Sequence, residues 1–203
     1  MPIWNSDSPI VAVDFETYYS GEYSVSKLGN WAYTHHPKFN AYLISVSDGV
    51  NTIACRPQEF PWETIDGKYW VSHNREFDRS VYERLVNLGE AAPVAPKDWF
   101  CSSAACAYLQ LPRDLAGACK IVLGVGVDKK VRASMSGKVP GFLSEELLEY
   151  AKSDAVLCFR LWEKVGPRWP RIERDLFELT ASMGRRGIHV DQEYLADSKQ
   201  RLE

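Results

Sequence analysis

Acidic side chains occur at three separated points of the sequence where the surrounding residues are apolar. Asp14 and Glu16 stand two positions apart in a β-branched run, and Asp78 and Asp154 each interrupt an apolar helical face. Residues two apart on a strand project from the same face. Carboxylates that meet in one pocket repel one another unless divalent cations offset their charge. The pattern therefore predicts an oxygen-liganded metal site that activates water for phosphodiester hydrolysis.

Each acid also has an ordinary structural explanation when it is taken alone. A D-x-E pair often marks the point where a strand enters solvent, and an inward aspartate can accept a hydrogen bond or pair with a cation. Helical wheels for 75–88 and 144–165 place no clear lysine or arginine inward to match these acids. Arg75 falls on the apolar arc but, as the first residue of its helix, can turn out to solvent. Four inward acids without matching inward cations favour one shared metal site over four separate structural roles.

The elements that must position these acids follow from hydrophobic periodicity and from capping signals. Strands are predicted at 10–16, 41–47, 51–55, 68–72 and 98–101. Helices are predicted at 75–88, 102–111, 114–123, 144–165 and 172–186. Ser144 is the predicted N-cap of the fourth helix, with acids in its first turn. A strand-rich opening followed by helices predicts an α/β fold.

The length and composition limit the domain organisation. The 203 residues are 45% hydrophobic and 25% charged, which is ordinary globular usage and allows one full domain plus a remainder. Two prolines at 166–170 predict a boundary between a domain at 1–168 and a helical extension at 169–203, which is too short to bury its own core. Five cysteines without a C-x-x-C pair predict reduced core thiols.

Charge and hydropathy argue against two kinds of partner, a long nucleic acid bound without specificity and a membrane. A net charge of −3 argues against a tight, non-specific grip on long nucleic acid, although a short strand end needs few cations. The basic residues of the loop at 129–142 fit two interpretations equally well. They guide the phosphates of a substrate, or they are ordinary charged residues in contact with solvent. No apolar stretch approaches the ~20 residues of a membrane span. The amino-terminal residues lack a signal region, so a cytoplasmic protein without a membrane partner is expected.

Three motifs, taken in order, resemble those of a known nuclease family. They read DFET at 14–17, HNREFD at 73–78 and YAKSD at 150–154. These segments are similar to the motifs of the DEDD (DnaQ-like) 3′-5′ exonucleases of the tyrosine-containing subclass. The resemblance implies a ribonuclease H-like fold, in which helices flank a mixed five-stranded sheet, here with a short helical carboxyl-terminal extension.

The resemblance also implies roles for individual residues. It implies that Asp14 bridges two metal ions, Mg²⁺ or Mn²⁺, and that Glu16 and Asp154 complete the site that holds the nucleophilic water. It implies further that Asp78 serves the second metal and that Tyr150 orients the attacking water. The residues expected to contact the terminal nucleotide are Thr17, His73, Asn74 and Phe77. The histidine could instead only cap its strand.

A finer resemblance concerns the substrate. Segments 28–39 and 172–191 resemble phage-type family A DNA polymerases, which implies a single-stranded DNA 3′ end as substrate and release of 5′-mononucleotides. The protein would then proofread for a DNA polymerase region present in cis or in trans. The second segment also fits a plain amphipathic helix that ends at Gly187. Two alternatives stay open: an RNA-trimming exonuclease of the same superfamily, and a catalytically silent module that binds nucleic acid or protein.

Overall fold

The computed structural model describes residues 6–126 and 135–202, and a mixed five-stranded sheet organises its larger part. The strands are β1 (Ile10–Thr17), β2 (Ala41–Ser47), β3 (Thr52–Cys55), β4 (Tyr69–Ser72) and β5 (Asp98–Cys101). Their order across the sheet is β3-β2-β1-β4-β5. β1 pairs antiparallel with β2 and parallel with β4, while β4 pairs parallel with β5. The predicted sheet is confirmed.

Seven α-helices lie within the described ranges, and five of them match the predicted ones to within about one turn. They are α1 (Val25–Thr34), α2 (Arg75–Asn87), α3 (Ser102–Tyr108), α4 (Leu115–Val122), α5 (Glu145–Val165), α6 (Arg171–Arg186) and α7 (Gln192–Leu202). Helices α1 and α7 were not predicted from the sequence. Helix α1 is kinked at Gly29, where φ is 73° and ψ is 165°, so it shows no continuous helical period.

The alternation of side chains along β1 separates the core from the acids. Val11, Val13 and Phe15 belong to the main apolar cluster, which also contains Val81 and Leu85 of α2. Asp14 and Glu16 alternate with these residues and therefore project from the opposite face of the sheet. Burial of β1 thus dictates which side of the sheet carries the chemistry.

Helix α5 has the longest span of the described helices and packs its apolar side against β2. Leu147 and Ala151 form a buried cluster with Tyr42 and Leu43 of that strand. The helix begins as predicted, since the Oγ of Ser144 accepts a hydrogen bond from the backbone N–H of Leu147 at 3.2 Å. The cap and the sheet contact together fix α5 beside the acid-bearing strand.

Arg75 contradicts the expectation that it turns out to solvent. Its side chain is only 4% exposed. Its Nη1 donates to the carbonyl of Trp99 at 2.9 Å, and its Nε and Nη2 donate to Oε1 of Glu76. Because an adjacent carboxylate and a β5 carbonyl satisfy the guanidinium, it is buried without an unpaired charge. A helical wheel cannot anticipate this, since the carbonyl comes from a distant strand.

The chain divides into two compact units, Met1–Trp169 and Pro170–Glu203. Trp169 is 4% exposed and packs edge-on against Trp162, so it belongs to the first unit, although the sequence placed it in the extension. The second unit contains α6 and α7, neither of which has a buried residue.

Three further observations bear on the sequence expectations. All five cysteines are buried free thiols. Of the predicted basic loop, Lys129, Lys130 and Arg132 lie outside the described residues, whereas Lys138 is exposed. Among the helices of the described ranges, none combines the length and the apolar character needed to cross a membrane.

Candidate active site

A cleft with a volume of about 480 Å³ opens at the carboxyl end of β1. The register of β1 with β4 covers Ile10, Val11 and Ala12, so the later residues of β1 lie beyond this pairing. At the same edge, β4 ends and the chain turns into α2. The carboxyl ends of neighbouring parallel strands commonly frame ligand sites. The cleft is lined by Asp14, Phe15, Glu16, His73, Asn74, Phe77, Asp78, Ser103, Arg113, Asp114, Leu115 and Asp154.

All four predicted acids line this one cleft. Asp14 and Glu16 come from β1, Asp78 comes from the first turn of α2, and Asp154 comes from the middle of α5. In residues 6–126 and 135–202, however, no three His, Cys, Asp or Glu side chains already lie close enough together to hold a metal ion. The carboxylates therefore share the cleft without forming a ready-made metal cluster, and their like charges repel one another.

Asp78 is the most constrained of these acids. Its side chain is 2% exposed, and its Oδ1 is buried without a hydrogen-bond partner among the described residues. Burial raises the pKa of Asp78 well above its ordinary value, and the charge of Glu16 raises it further. Hydrogen bonds from the backbone N–H of Phe15 and from Ser72 act in the opposite direction. A buried, unpaired carboxylate oxygen beside other carboxylates fits a hard divalent cation.

His73 is held by the protein through both ring nitrogens. Its Nε2 donates to the backbone carbonyl of Arg113 at 2.8 Å, and its Nδ1 lies 3.0 Å from the Oγ of Ser102. A carbonyl can only accept, so Nε2 carries the proton and Nδ1 accepts from the hydroxyl. Burial lowers the pKa of His73, which favours this neutral ring. The ring lines the cleft with both nitrogens already hydrogen-bonded to the protein, and its contact with a nucleotide stays a prediction.

The remaining predicted residues are distributed around the cleft. Asn74 and Phe77 line it together with the acids. Thr17 lines an adjoining compartment of about 380 Å³, which shares Phe15, Glu16 and Phe77 with the cleft. The Thr17 hydroxyl lies 2.6 Å from the hydroxyl of Tyr33.

Tyr150 does not line the cleft in this structure. Its half-buried ring packs against the apolar cluster formed by β2 and α5. It lies one helical turn before Asp154 on α5, so the two residues share a side of that helix. The motif therefore places Tyr150 close to Asp154 on one helix, and the role of Tyr150 in the reaction stays a prediction.

Sequence reasoning missed one wall of the cleft, which is formed by Ser103, Arg113, Asp114 and Leu115. Ser103 lies in α3, Arg113 and Asp114 form the turn that leads into α4, and Leu115 is the first residue of α4. The only signal in the sequence was capping, and Asp114 does accept from the backbone N–H of Gly117 at 3.1 Å. A single arginine in a polar turn carries no motif. It enters the cleft because α3 follows β5, the parallel neighbour of β4.

Comparisons with known proteins agree with this geometry. A sequence profile described as 3′-5′ exonuclease matches residues 6–169. No curated protein sequence gives a significant match.

Several solved structures have the same fold. Brucella melitensis NrnC bound to pGG is 23% identical, with a TM-score of 0.59 over 87% of this chain and 79% of that chain. Escherichia coli RNase D, described as an exoribonuclease involved in structured RNA processing, is 19% identical, with a TM-score of 0.58 over 89% of this chain and 46% of that chain. Trypanosoma brucei RNase D in complex with RNA U12 is 13% identical, with a TM-score of 0.55 over 78% and 56%. The predicted ribonuclease H-like α/β fold is thereby confirmed.

Proposed function

Since the chain belongs to the 3′-5′ exonuclease family of the DEDD superfamily, we propose that it removes nucleotides from the 3′ end of single-stranded RNA. The observation that carries the hydrolytic part of the proposal is the buried, unpartnered Oδ1 of Asp78 in a cleft with four further carboxylates. The cytoplasmic location predicted from the sequence is part of the same proposal.

The choice of RNA is supported by the descriptions of similar structures. One is bound to pGG, one is described as an exoribonuclease and one is in complex with RNA U12. Identities of 13–23% indicate a shared fold and leave the substrate to experiment. The RNA-trimming alternative is therefore preferred to the DNA reading that the finer resemblance implied.

A DNA 3′ end remains the second candidate because of the resemblance in segments 28–39 and 172–191. None of the comparisons supports a DNA polymerase partner, a proofreading role or a bacteriophage origin. A polymerase region in cis or in trans is therefore no part of the main proposal.

The acids fit the divalent ions that enzymes of this superfamily generally use. Asp14, Glu16 and Asp154 would hold such ions together with Asp78, and we propose Mg²⁺ or Mn²⁺. When bound, the ions would activate water and stabilise the departing oxygen. In the hydrolysis, water adds to the last phosphodiester: its oxygen joins phosphorus, the bond to the preceding 3′ oxygen breaks, and that oxygen takes up a proton. A 5′-mononucleotide leaves.

The chain's own residues would position the strand end. Phe77 lines both compartments and presents an apolar ring beside Glu16, where a nucleoside can pack. Asn74 offers an amide at the edge of the same cleft. Tyr150 is kept as the residue proposed to orient the attacking water.

The test compares RNA and DNA strands of one sequence, each labelled at its 5′ end, with Mg²⁺, with Mn²⁺ and with a chelator. We expect stepwise shortening of RNA from its 3′ end, with kcat/KM at least about tenfold above that for DNA, and no cleavage in chelator. Asp14→Ala is the matched inactive variant. Faster cleavage of DNA would favour the second candidate. Failure to cleave either strand would overturn the enzyme assignment and favour the catalytically silent binding module.

A further inference from the structure

The cleft poses an electrostatic problem for a phosphate-bearing substrate. Five carboxylates line it, those of the four predicted acids and of Asp114, whereas Arg113 is the one lysine or arginine among the described residues that does so. The Arg113 side chain is exposed, and it forms no ion pair within the part of the chain that the structure describes. A cation at the edge of an acidic cleft with no acidic partner is available to a ligand.

The backbone of Arg113 is fixed although its side chain is free. Its carbonyl accepts two hydrogen bonds, one from Nε2 of His73 at 2.8 Å and one from Oγ of Ser103 at 2.9 Å. His73 follows the end of β4, and Ser103 lies in the first turn of α3. Two separate elements thus hold this carbonyl, and the next residue, Asp114, caps α4. Such anchoring sets where the guanidinium can reach.

Arg113 does not serve as the standing counter-ion of the buried acid. The Oδ1 of Asp78 is buried without a hydrogen-bond partner, and no ion pair among the described residues joins Arg113 to Asp78. The guanidinium is therefore uncommitted both to an ion pair and to the most buried carboxylate of the cleft.

We propose that Arg113 binds a phosphate of the substrate strand, and that His73 and Ser103 are positioning residues for it. This inference rests on the proposed function. A guanidinium is a planar fork of N–H donors that matches phosphate oxygens, and it cannot lose its charge at neutral pH. It would offset the repulsion between the strand and the carboxylates on the side of the cleft formed by α3 and α4.

The first experiment measures the salt dependence of RNA cleavage by Arg113→Ala. We expect KM to rise about tenfold with kcat within about threefold, and the slope of log kcat/KM against log salt to become shallower by about one. Arg113→Lys should keep the slope and recover only part of KM, because an ammonium lacks the fork. Lys120→Ala, which removes an exposed cation of α4 outside the cleft, should leave KM and slope unchanged.

The second experiment is a double-mutant cycle that separates positioning from direct contact. If His73 acts through Arg113, His73→Ala should raise KM in the parent but have little further effect in the Arg113→Ala background. His73→Gln should recover activity in part, since its amide can donate to the same carbonyl. Effects that multiply in the cycle would overturn the positioning role of His73.

The outcomes distinguish this inference from the proposed function. An Arg113→Ala variant with the parent's KM and salt slope would overturn the role of Arg113, while the exonuclease assignment would stand. A parent protein that cleaves neither RNA nor DNA would overturn the proposed function. In that case fluorescence anisotropy with a labelled strand and Mn²⁺ still tests Arg113. Weaker binding by the variant supports the contact, and binding equal to that of the parent, or none by either, overturns it.

Discussion

The carboxylate of Asp78 is buried where solvent cannot stabilise its charge. Its pKa is raised above the ordinary value of 3.8 by burial and by Glu16. An acid whose pKa rises on folding stabilises the fold fully below the unfolded pKa, and that contribution is lost as the pH rises through the folded pKa. At neutral pH, in the absence of a cation, ionisation of the buried Asp78 therefore lowers the free energy of unfolding. Interactions elsewhere in the fold must compensate for this loss.

The first prediction follows from the destabilising charge of Asp78 at neutral pH. Asp78→Asn keeps the shape of the side chain and removes the charge, so it should raise the Tm at pH 7 in chelator by roughly 2–4 °C. The gain should shrink toward pH 4, where the parent carboxyl is protonated. Thermal unfolding across this pH range measures it, with Glu63→Gln as an exposed control. A gain independent of pH would point to packing instead of charge.

The second prediction compares two residues of α5. Asp154→Ala should abolish RNA cleavage and leave the Tm unchanged or higher, because it removes one member of a repelling set. Tyr150→Phe should lower kcat by a smaller factor, about tenfold, since the acids remain and the ring lies outside the cleft. Single-turnover rates with saturating Mn²⁺ separate the two variants. Equal losses would mean that Tyr150 contributes as much as a metal-binding carboxylate.

At the scale of elements, the position of α5 depends on the β2–β3 turn. Gly49 in that turn has a φ of 90°, and a Cβ there would lie 2.6 Å from the ring of Phe159 on α5. The turn thus requires glycine for two reasons: its backbone has a positive φ, and a side chain would collide with the ring of Phe159. Since Asp154 is carried by the same helix, this contact links a remote turn to the geometry of the acids.

The third prediction separates these two reasons. Gly49→Ala should reduce the free energy of unfolding by about 2–4 kcal/mol, because it combines backbone strain with a clash against an aromatic ring. Gly67→Ala is the matched control, because Gly67 has a φ of 65° with nothing within 4 Å of the added Cβ. It should cost only about 1 kcal/mol. Urea unfolding of both variants gives the difference, and equal losses would exclude the contact with Phe159.

At the scale of the whole molecule, the two units differ in how they are stabilised. The first contains a buried sheet and its covering helices, whereas no residue of α6 or α7 is buried. On α6 an exposed apolar stripe recurs at helical spacing: Ile172, Leu176, Leu179 and Met183. Stability must therefore come almost entirely from the first unit.

The fourth prediction concerns a chain that ends after Trp169. Because the removed helices bury no side chain, its Tm should lie within about 3 °C of the parent's, and its activity on RNA should persist. Differential scanning calorimetry and the cleavage assay provide the measurements. A chain that ends before Trp169 is the contrasting case and should unfold earlier, since it loses a tryptophan that packs against Trp162. A large loss in the longer chain would show that the second unit supports the first.

The sequence by itself determined the elements with strong periodicity and the acids that they carry. The strand period of β1 put Asp14 and Glu16 on one face, and the helical periods of α2 and α5 put Asp78 and Asp154 inward. These inferences succeeded because burial imposes a repeat along the chain that residue types record directly. Capping chemistry identified the start of α5 for the same local reason.

Tertiary structure alone decided which remote groups meet. It buried Arg75 against a β5 carbonyl, brought Arg113 into the acidic cleft and left Tyr150 outside it. Helix α1, with its kink at Gly29, also escaped detection because its period is broken. Contacts between distant segments depend on how strands pair and helices pack across the fold, and no period along a single chain segment encodes them.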